Sequence, residues 1–340
     1  MLGIDTQRPH AFLAFAALVA GLMLLPLVMR PIIAADICVF AIAAMALNLI
    51  FGYTGMLSFG QATFFGMGAY VSALLMIHAS ANLYLALLAG TLAGAVTAAV
   101  VGYLCLQRVG IYFIMLTFAF NQLFYFLAYK WTGLTGGDDG LPGVPRPPVT
   151  FGTLRLPLDT SVTYYVFVAV VFFLVFYVMK RLVESPLGMI CQAIRENPER
   201  AAAVGYHVKR YQWLVFTIAG AFSGLAGVLY AMMYGIVPIE AIFWVTSGDI
   251  VFMVLIGGIG NLYGPLIGAV VLRWLSETLS VLWHRWPLLS GTFLIIVVLF
   301  LRGGCVEVLE RGRELLARLD MRRKEAGYGV AADGETDEKF

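Results

Sequence analysis

The chain has 340 residues, of which 61% are hydrophobic and only 12% charged, and its mean hydropathy is +0.88. This composition excludes an ordinary soluble domain and marks a polytopic membrane protein. The net charge of +2 gives no global attraction for nucleic acid or acidic ligands, so the charge information lies in its distribution.

A helix needs about 20 apolar residues to cross the hydrocarbon core. In chain order the windows that meet this standard are 11–29, 32–51, 56–77, 83–105, 110–129, 162–179 and 212–234. The first is longer than a signal-peptide core and runs into Arg30-Pro31, so it is expected to be a retained span. Residues 249–281 are too long for one crossing and are interrupted by Gly257-Gly258-Ile259-Gly260-Asn261-Leu262-Tyr263-Gly264-Pro265, which implies a short crossing, a turn and a second crossing. A last span covers 288–301, and the tail 303–340, charged and polar at its end, is expected to begin helical and then become disordered. The expected fold is an all-α bundle of about ten transmembrane helices, one or two of them short or broken.

Lysine and arginine distribution sets the orientation. Lys180, Arg181, Arg195, Arg200, Lys209 and Arg210 share one loop, 180–211, and a further cluster fills the tail, so both are placed in the cytoplasm. The loop 130–161 is then outside and both termini inside, although Arg30 and His284-Arg285 fall on the outer side. The outer loop is rich in turn residues and carries two adjacent carboxylates, Asp138 and Asp139. A solvated connector or a contact for an external partner would both account for them.

The loop 180–211 contains the most informative stretch. Ser185 and Pro186 open one helix, Asn197 and Pro198 open another, and Gly205 supplies a left-handed exit. The second helix, about Pro198 to Val204, would be roughly 10 Å long and sharply stopped, the shape of a docking element. A second stretch, residues 52–70, concentrates glycines at the edge of an apolar run. It implies close packing or a backbone that is not fully helical at membrane depth. Its pattern Gly-x-x-Gly-x-Leu at 52–57 is echoed at 257–262, as two related halves of the chain would leave behind. The pairs Gly90/Gly94, Gly220/Gly224 and Gly264/Gly268 have the spacing of intimate helix contacts.

Asn48, Ser58, Gln61, Thr117, Asn121 and Gln122 are uncharged polar residues in apolar spans. They suit interhelical hydrogen bonds, or the lining of a pathway that lets a solute pass without holding it strongly. Arg273 and Glu277, four apart on one helix, are expected to pair with one another. No lysine is followed by Ser or Thr, so there is no P-loop, and HExxH and GxSxG motifs are absent, which argues against an enzyme. Cys38, Cys105, Cys191 and Cys305 are scattered, so neither a metal site nor a disulfide framework nor any cofactor is expected.

The 185–188 and 193–205 island resembles the coupling-helix loop of ABC-importer permeases. Together with the 48–70 segment, the Thr135-Gly136-Gly137-Asp138-Asp139-Gly140-Leu141 loop and the 257–268 segment, it makes residues 36–302 similar to LivM-type permeases of branched-chain amino-acid ABC importers. The resemblance implies a multi-pass subunit of a bacterial inner membrane, its permease domain covering 1–302. The implied partners are a LivH-like second permease, two cytoplasmic ABC ATPases and a solute-binding protein outside, with lipid around them and no nucleic acid. It further implies that Arg195, Glu196, Asn197, Pro198, Glu199, Arg200, Ala201, Ala202 and Gly205 couple to the ATPases, and that access alternates as these close. A urea or short-chain amide ABC permease shares this architecture. A gradient-driven secondary transporter would instead need buried coupling charges and no docking helix.

Overall fold

The computed structural model describes residues 29–282 except 80, 152 and 153, together with isolated positions on either side. The expected spans at 11–29 and 288–301 and the tail from 303 fall almost wholly outside the described residues.

Helix α1 (Pro31–Thr54) is the axis of the molecule: apolar on every side, it is buried along nearly its whole length. Pro31 occupies its first turn, where a missing N–H costs nothing, and Gly55 ends it at φ 78°. Gly55 N–H donates to Phe51 O at 3.2 Å and Met56 N–H to Ile50 O at 3.1 Å, the double bond of a left-handed helix stop. Residues 55–60 are irregular and α2 begins only at Gln61, running to His78. The expected span 56–77 therefore loses its first turn to the glycine-rich segment, whose backbone leaves the helix at Gly55.

Helix α3 (Leu83–Cys105) starts at Asn82, whose Oδ1 accepts from Tyr84 N–H at 3.0 Å, and is followed by α4 (Ile111–Lys130). The loop beyond carries α5 (Thr132–Thr135), a 3₁₀ turn (Gly137–Asp139) and strand β1 (Leu141–Pro142). A hairpin of β2 (Val149–Phe151) and β3 (Leu154–Leu156) completes it. Then come α6 (Ser161–Glu184), α7 (Pro186–Glu196), α8 (Pro198–Ala203) and α9 (Val208–Tyr234). Strand β4 (Ile236–Val237), a 3₁₀ turn (Ile239–Ile242), α10 (Trp244–Gly257) and α11 (Gly264–Leu282) follow. Among the described residues, α1, α3, α4, α6 and α9 are long and apolar enough to cross a membrane. Helix α10, with 14 residues, is about 21 Å long at 1.5 Å per residue, short of a roughly 30 Å hydrocarbon core.

Glycines decide which helices touch. A methyl group on Gly68 of α2 would run into the backbone of Gly224 on α9, and one on Gly94 of α3 into Gly220 and Gly224. One on Gly268 of α11 would meet Met253 on α10. The small-residue pairs thus mark real backbone-to-backbone contacts, where dispersion between helices replaces contact with lipid.

Arg273 does not pair with Glu277 as its spacing suggests. Its Nε lies 3.1 Å from Asp36 Oδ2, and its guanidinium sits 3.5 Å above the Phe40 ring. Helix α11 turns Arg273 toward α1, so the carboxylate comes from the neighbouring helix, while Glu277 is exposed. Tyr234 at the end of α9 donates to Asp36 Oδ1 at 3.4 Å, joining three helices at this point.

Candidate functional site

One end of the bundle gathers the end of α1, the start of α4, α7, α8 and the start of α9. Helix α7 folds back on the end of α6 because Gly188 has no side chain to strike the Val183 backbone. Ser185 takes the N-cap position of α7 without capping it: its Oγ donates to Leu182 O at 2.6 Å, closing α6 instead. Cys191 and Ile194 are turned inward. Burial pushes the Cys191 thiol up to about 11, partly offset by a hydrogen bond with Thr54 at the end of α1.

The second helix start behaves as its residues suggest. Asn197 is extended, and its Oδ1 accepts from Arg200 N–H at 2.9 Å. Pro198 fills the first turn beside Glu199, whose charge suits the helix N-terminus. Gly205 leaves at φ 102°, with its N–H bonded to Ala202 O at 3.0 Å. Of the island residues, Ala201 is buried and Asn197 half-buried, whereas Glu196, Pro198, Glu199, Arg200, Ala202, Val204 and Gly205 are exposed. A crevice of about 690 Å³, lined by residues that include Met56, Leu57, Ile111, Arg195 and Glu199, separates α8 from the break after α1.

Arg195 ties this island to the interior. Its Nη1 donates to Gly52 O, its methylene stem lies against Gly55, and the same guanidinium abuts Gly260. Asn48 holds the other side of the junction: Oδ1 accepts from Gly260 N–H at 3.0 Å and Nδ2 donates to Asn261 O at 2.9 Å. The two glycine-rich breaks that echo each other in sequence are therefore in contact, with Asn48 between them and Arg195 across them. Only at Gly52 and Gly260 can the backbones come so close, since a side chain at Gly52 would collide with Gly260.

Deeper in the bundle α2 begins part-way through, while α10 starts beside it with Trp244 and Val245 exposed. The start of α2 lies against the middle of α9 and α4: Ser223 Oγ donates to Gln61 Oε1 at 2.6 Å, and Phe59 N–H to Thr117 Oγ1 at 3.2 Å. Ser58 Oγ accepts from Gly60 N–H at 3.2 Å, and Ser247 Oγ from Ala62 N–H at 2.9 Å. The start of α10 lies against the middle of α4, where Asn121 Nδ2 donates to Ile242 O at 3.0 Å and to Thr63 Oγ1 at 2.9 Å. All six polar residues singled out in the spans thus lie inside the helix contacts, Gln122 half-buried and the others buried. Gln61 Nε2, Asn121 Oδ1 and Gln122 Oε1 are nonetheless buried without a partner.

At the far end Asp138 and Asp139 are exposed on their 3₁₀ turn, so they belong to no internal network. The loop beneath them is anchored. Strand β1 pairs antiparallel with β4, and Arg146 Nε donates to Met232 O at 2.7 Å while its guanidinium lies 5.2 Å over the Tyr164 ring. Asp36, Ser223, Ser247 and Arg146 also belong to these contacts. Of these, only Asp36, a charge within an apolar run, carried a readable signal.

A family-wide sequence profile described as "Branched-chain amino acid transport system / permease component" matches residues 29–301. The LivM permease protein of the Escherichia coli K12 high-affinity branched-chain amino acid transport system is 27% identical over 253 residues, covering 69% of this chain. The LivH permease protein of Salmonella typhimurium is 26% identical over 255 residues, 71% of this chain and 81% of its own length. A probable LivM from Methanocaldococcus jannaschii is 34% identical over 102 residues, 29% of each chain. The chain spans about 60% of the length of the E. coli LivM relative it matches, and no solved structure matches it. With the profile covering all the helices described above, the chain belongs to the permease component family of branched-chain amino acid transport systems.

Proposed function

We propose that the chain is a multi-pass subunit of the bacterial inner membrane which forms half of the translocation pathway of an ABC importer for branched-chain amino acids. The island at 185–205 faces the cytoplasm, the 130–161 loop faces outward, and both termini are inside, with about ten crossings in all. A LivH-like subunit supplies the other half, two ABC ATPases dock from the cytoplasm, one on each permease, and a solute-binding protein delivers the amino acid near Asp138 and Asp139.

The observation that carries this reading is the path from the exposed α8 through Arg195 to the last turn of α1 at Gly52 and the break at Gly260. A capped helix of six residues with an exposed surface suits a groove on a partner, and its neighbour Arg195 bears on the irregular backbone inside the bundle. When ATP closes the two ATPases, α8 moves with them into the adjoining crevice, and the breaks rearrange so that the pathway opens to the other side. Selectivity lies chiefly with the binding protein.

Reconstitution of the chain with its co-purifying subunits tests this. The expected result is leucine uptake that needs ATP, the ATPases and a second permease. Uptake that persists without ATPases would identify a gradient-driven transporter instead.

A further inference from the structure

Where α3 ends and α9 begins, two cations stand over an apolar groove. The helices run antiparallel: Gly90 meets Val228 at one end of their seam, and Gly102 meets the Phe216 ring at the other. Trp213 Nε1 donates to Ala99 O at 2.8 Å, which fixes the indole against α3. Beside this bond lies a groove of about 470 Å³ lined by Tyr103, Leu106, Gln107, Lys209, Arg210 and Trp213. Both of its charged residues are cations, and among the described residues no carboxylate lines it.

Helix length gives the depth of the groove. With 23 residues, α3 is about 35 Å long at 1.5 Å per residue, enough to cross a roughly 30 Å hydrocarbon core, so its last turn stands at headgroup level. Tyr103 and Trp213 are exposed there, at the depth where amphipathic rings concentrate. Val96, Val100 and Tyr103, spaced by four and three residues, form one exposed apolar face of α3 that runs from the groove toward the bilayer centre.

The chain does not use these cations internally. Among the described residues neither Lys209 nor Arg210 has an ion-pair partner. Residues 83–130 and 200–234, which include both helices of the groove, contain no Asp or Glu. Glu199 lines the neighbouring crevice instead, where it already faces Arg108, Arg195 and Lys209. Nor do the cations serve α9, because they occupy its first turn, where the helix dipole disfavours positive charge.

We infer that the groove binds an anionic phospholipid of the surrounding leaflet. The phosphate lies at Lys209 and Arg210, and an acyl chain passes between Tyr103 and Trp213 and down over Val100 and Val96. A zwitterionic headgroup would bring an ammonium that finds no carboxylate here, so the groove selects a lipid of net negative charge. Such a lipid anchors the start of α9 beside the exit of α8 at Gly205. The inference goes beyond the importer reading and needs only that α3 and α9 cross the bilayer.

The test places the full chain, with its co-purifying subunits, in phosphatidylcholine vesicles that hold a minor fraction of lipid brominated on its acyl chains. The brominated lipid is either phosphatidylglycerol or phosphatidylcholine, and bromine quenches tryptophan on contact. The share of quenching that Trp213→Phe removes reports the groove alone. A basic side chain near an anionic headgroup is worth about fivefold in partition, so the pair predicts a preference for phosphatidylglycerol of up to about thirtyfold. Lys209→Gln with Arg210→Gln, both at exposed positions, is expected to abolish the preference while quenching by brominated phosphatidylcholine persists. The swap Lys209→Arg with Arg210→Lys keeps both charges and is expected to keep the preference. Equal quenching by the two lipids in the unaltered protein, a preference that the double glutamine variant retains, or its loss in the swap would overturn the proposal. So would the absence of Trp213 quenching by either lipid, which would show that an adjoining subunit covers the groove.

Discussion

Arg195 donates from Nη1 to the backbone carbonyl of Gly52, a residue 143 positions earlier at the edge of the central helix. One end of this contact is a helix pair whose outer surface is exposed, and the other is the last turn of α1, three residues before the backbone leaves helical geometry at Gly55. In the proposed coupling, motion of the helix pair would reach the adjoining break at 55–60, which has no helical ladder to disrupt and so costs little to move.

Arg195→Ala is expected to uncouple the complex. Hydrogen bonds to charged groups contribute about 1.5–3 kcal/mol, enough for a tenfold or larger fall in uptake while basal ATP hydrolysis continues. Arg195→Lys restores the charge without the guanidinium fork and is expected to recover part of the loss. Uptake and hydrolysis that decline in strict proportion would argue that Arg195 only holds the fold.

Changes on α8 act one step earlier. Glu199→Arg reverses the charge at its N-terminus, and Gly205→Val forces a β-branched residue into φ 102° at a cost of about 1 kcal/mol or more. Both are expected to abolish uptake and leave the protein inserted in the membrane, which immunoblotting of washed membranes checks. Normal transport-coupled hydrolysis in both variants would remove α8 from the coupling path.

Orientation can be read with thiol labelling. Asp138→Cys is expected to react with an impermeant maleimide in intact cells, and Glu199→Cys only after permeabilisation. In a Cys305→Ser background the remaining cysteines are buried, and Cys191, with its pKa raised by burial to about 11, stays a protonated, unreactive thiol at pH 7. The opposite labelling pattern would invert every interface proposed for the two ends.

The ion pair between Asp36 and Arg273 is expected to matter for stability. Removing one partner of a buried pair costs roughly 3–5 kcal/mol, and partial exposure of Arg273 places Asp36→Ala toward the lower end. The double change Asp36→Leu with Arg273→Leu is expected to regain most of the lost Tm, since no uncompensated charge remains. Additive losses in a double-mutant cycle would show that the two charges do not act on each other.

Much of the fold was legible because it is local. The apolar runs marked the spans, and Pro31, Pro198, Asn197, Gly55 and Gly205 start or stop helices through their own backbone chemistry and that of their neighbours. The break between α10 and α11 was readable for the same reason, from glycines and a proline in an otherwise apolar run. The tertiary structure alone decided the partners. Asn48 meets Gly260, Arg195 meets Gly52, and Asp36 takes the charge that spacing along α11 would have given to Glu277. Each joins residues more than 100 positions apart, brought together by glycine contacts that let whole helices approach. A pairing of that kind depends on how helices pack in three dimensions, and no local run of residues contains it.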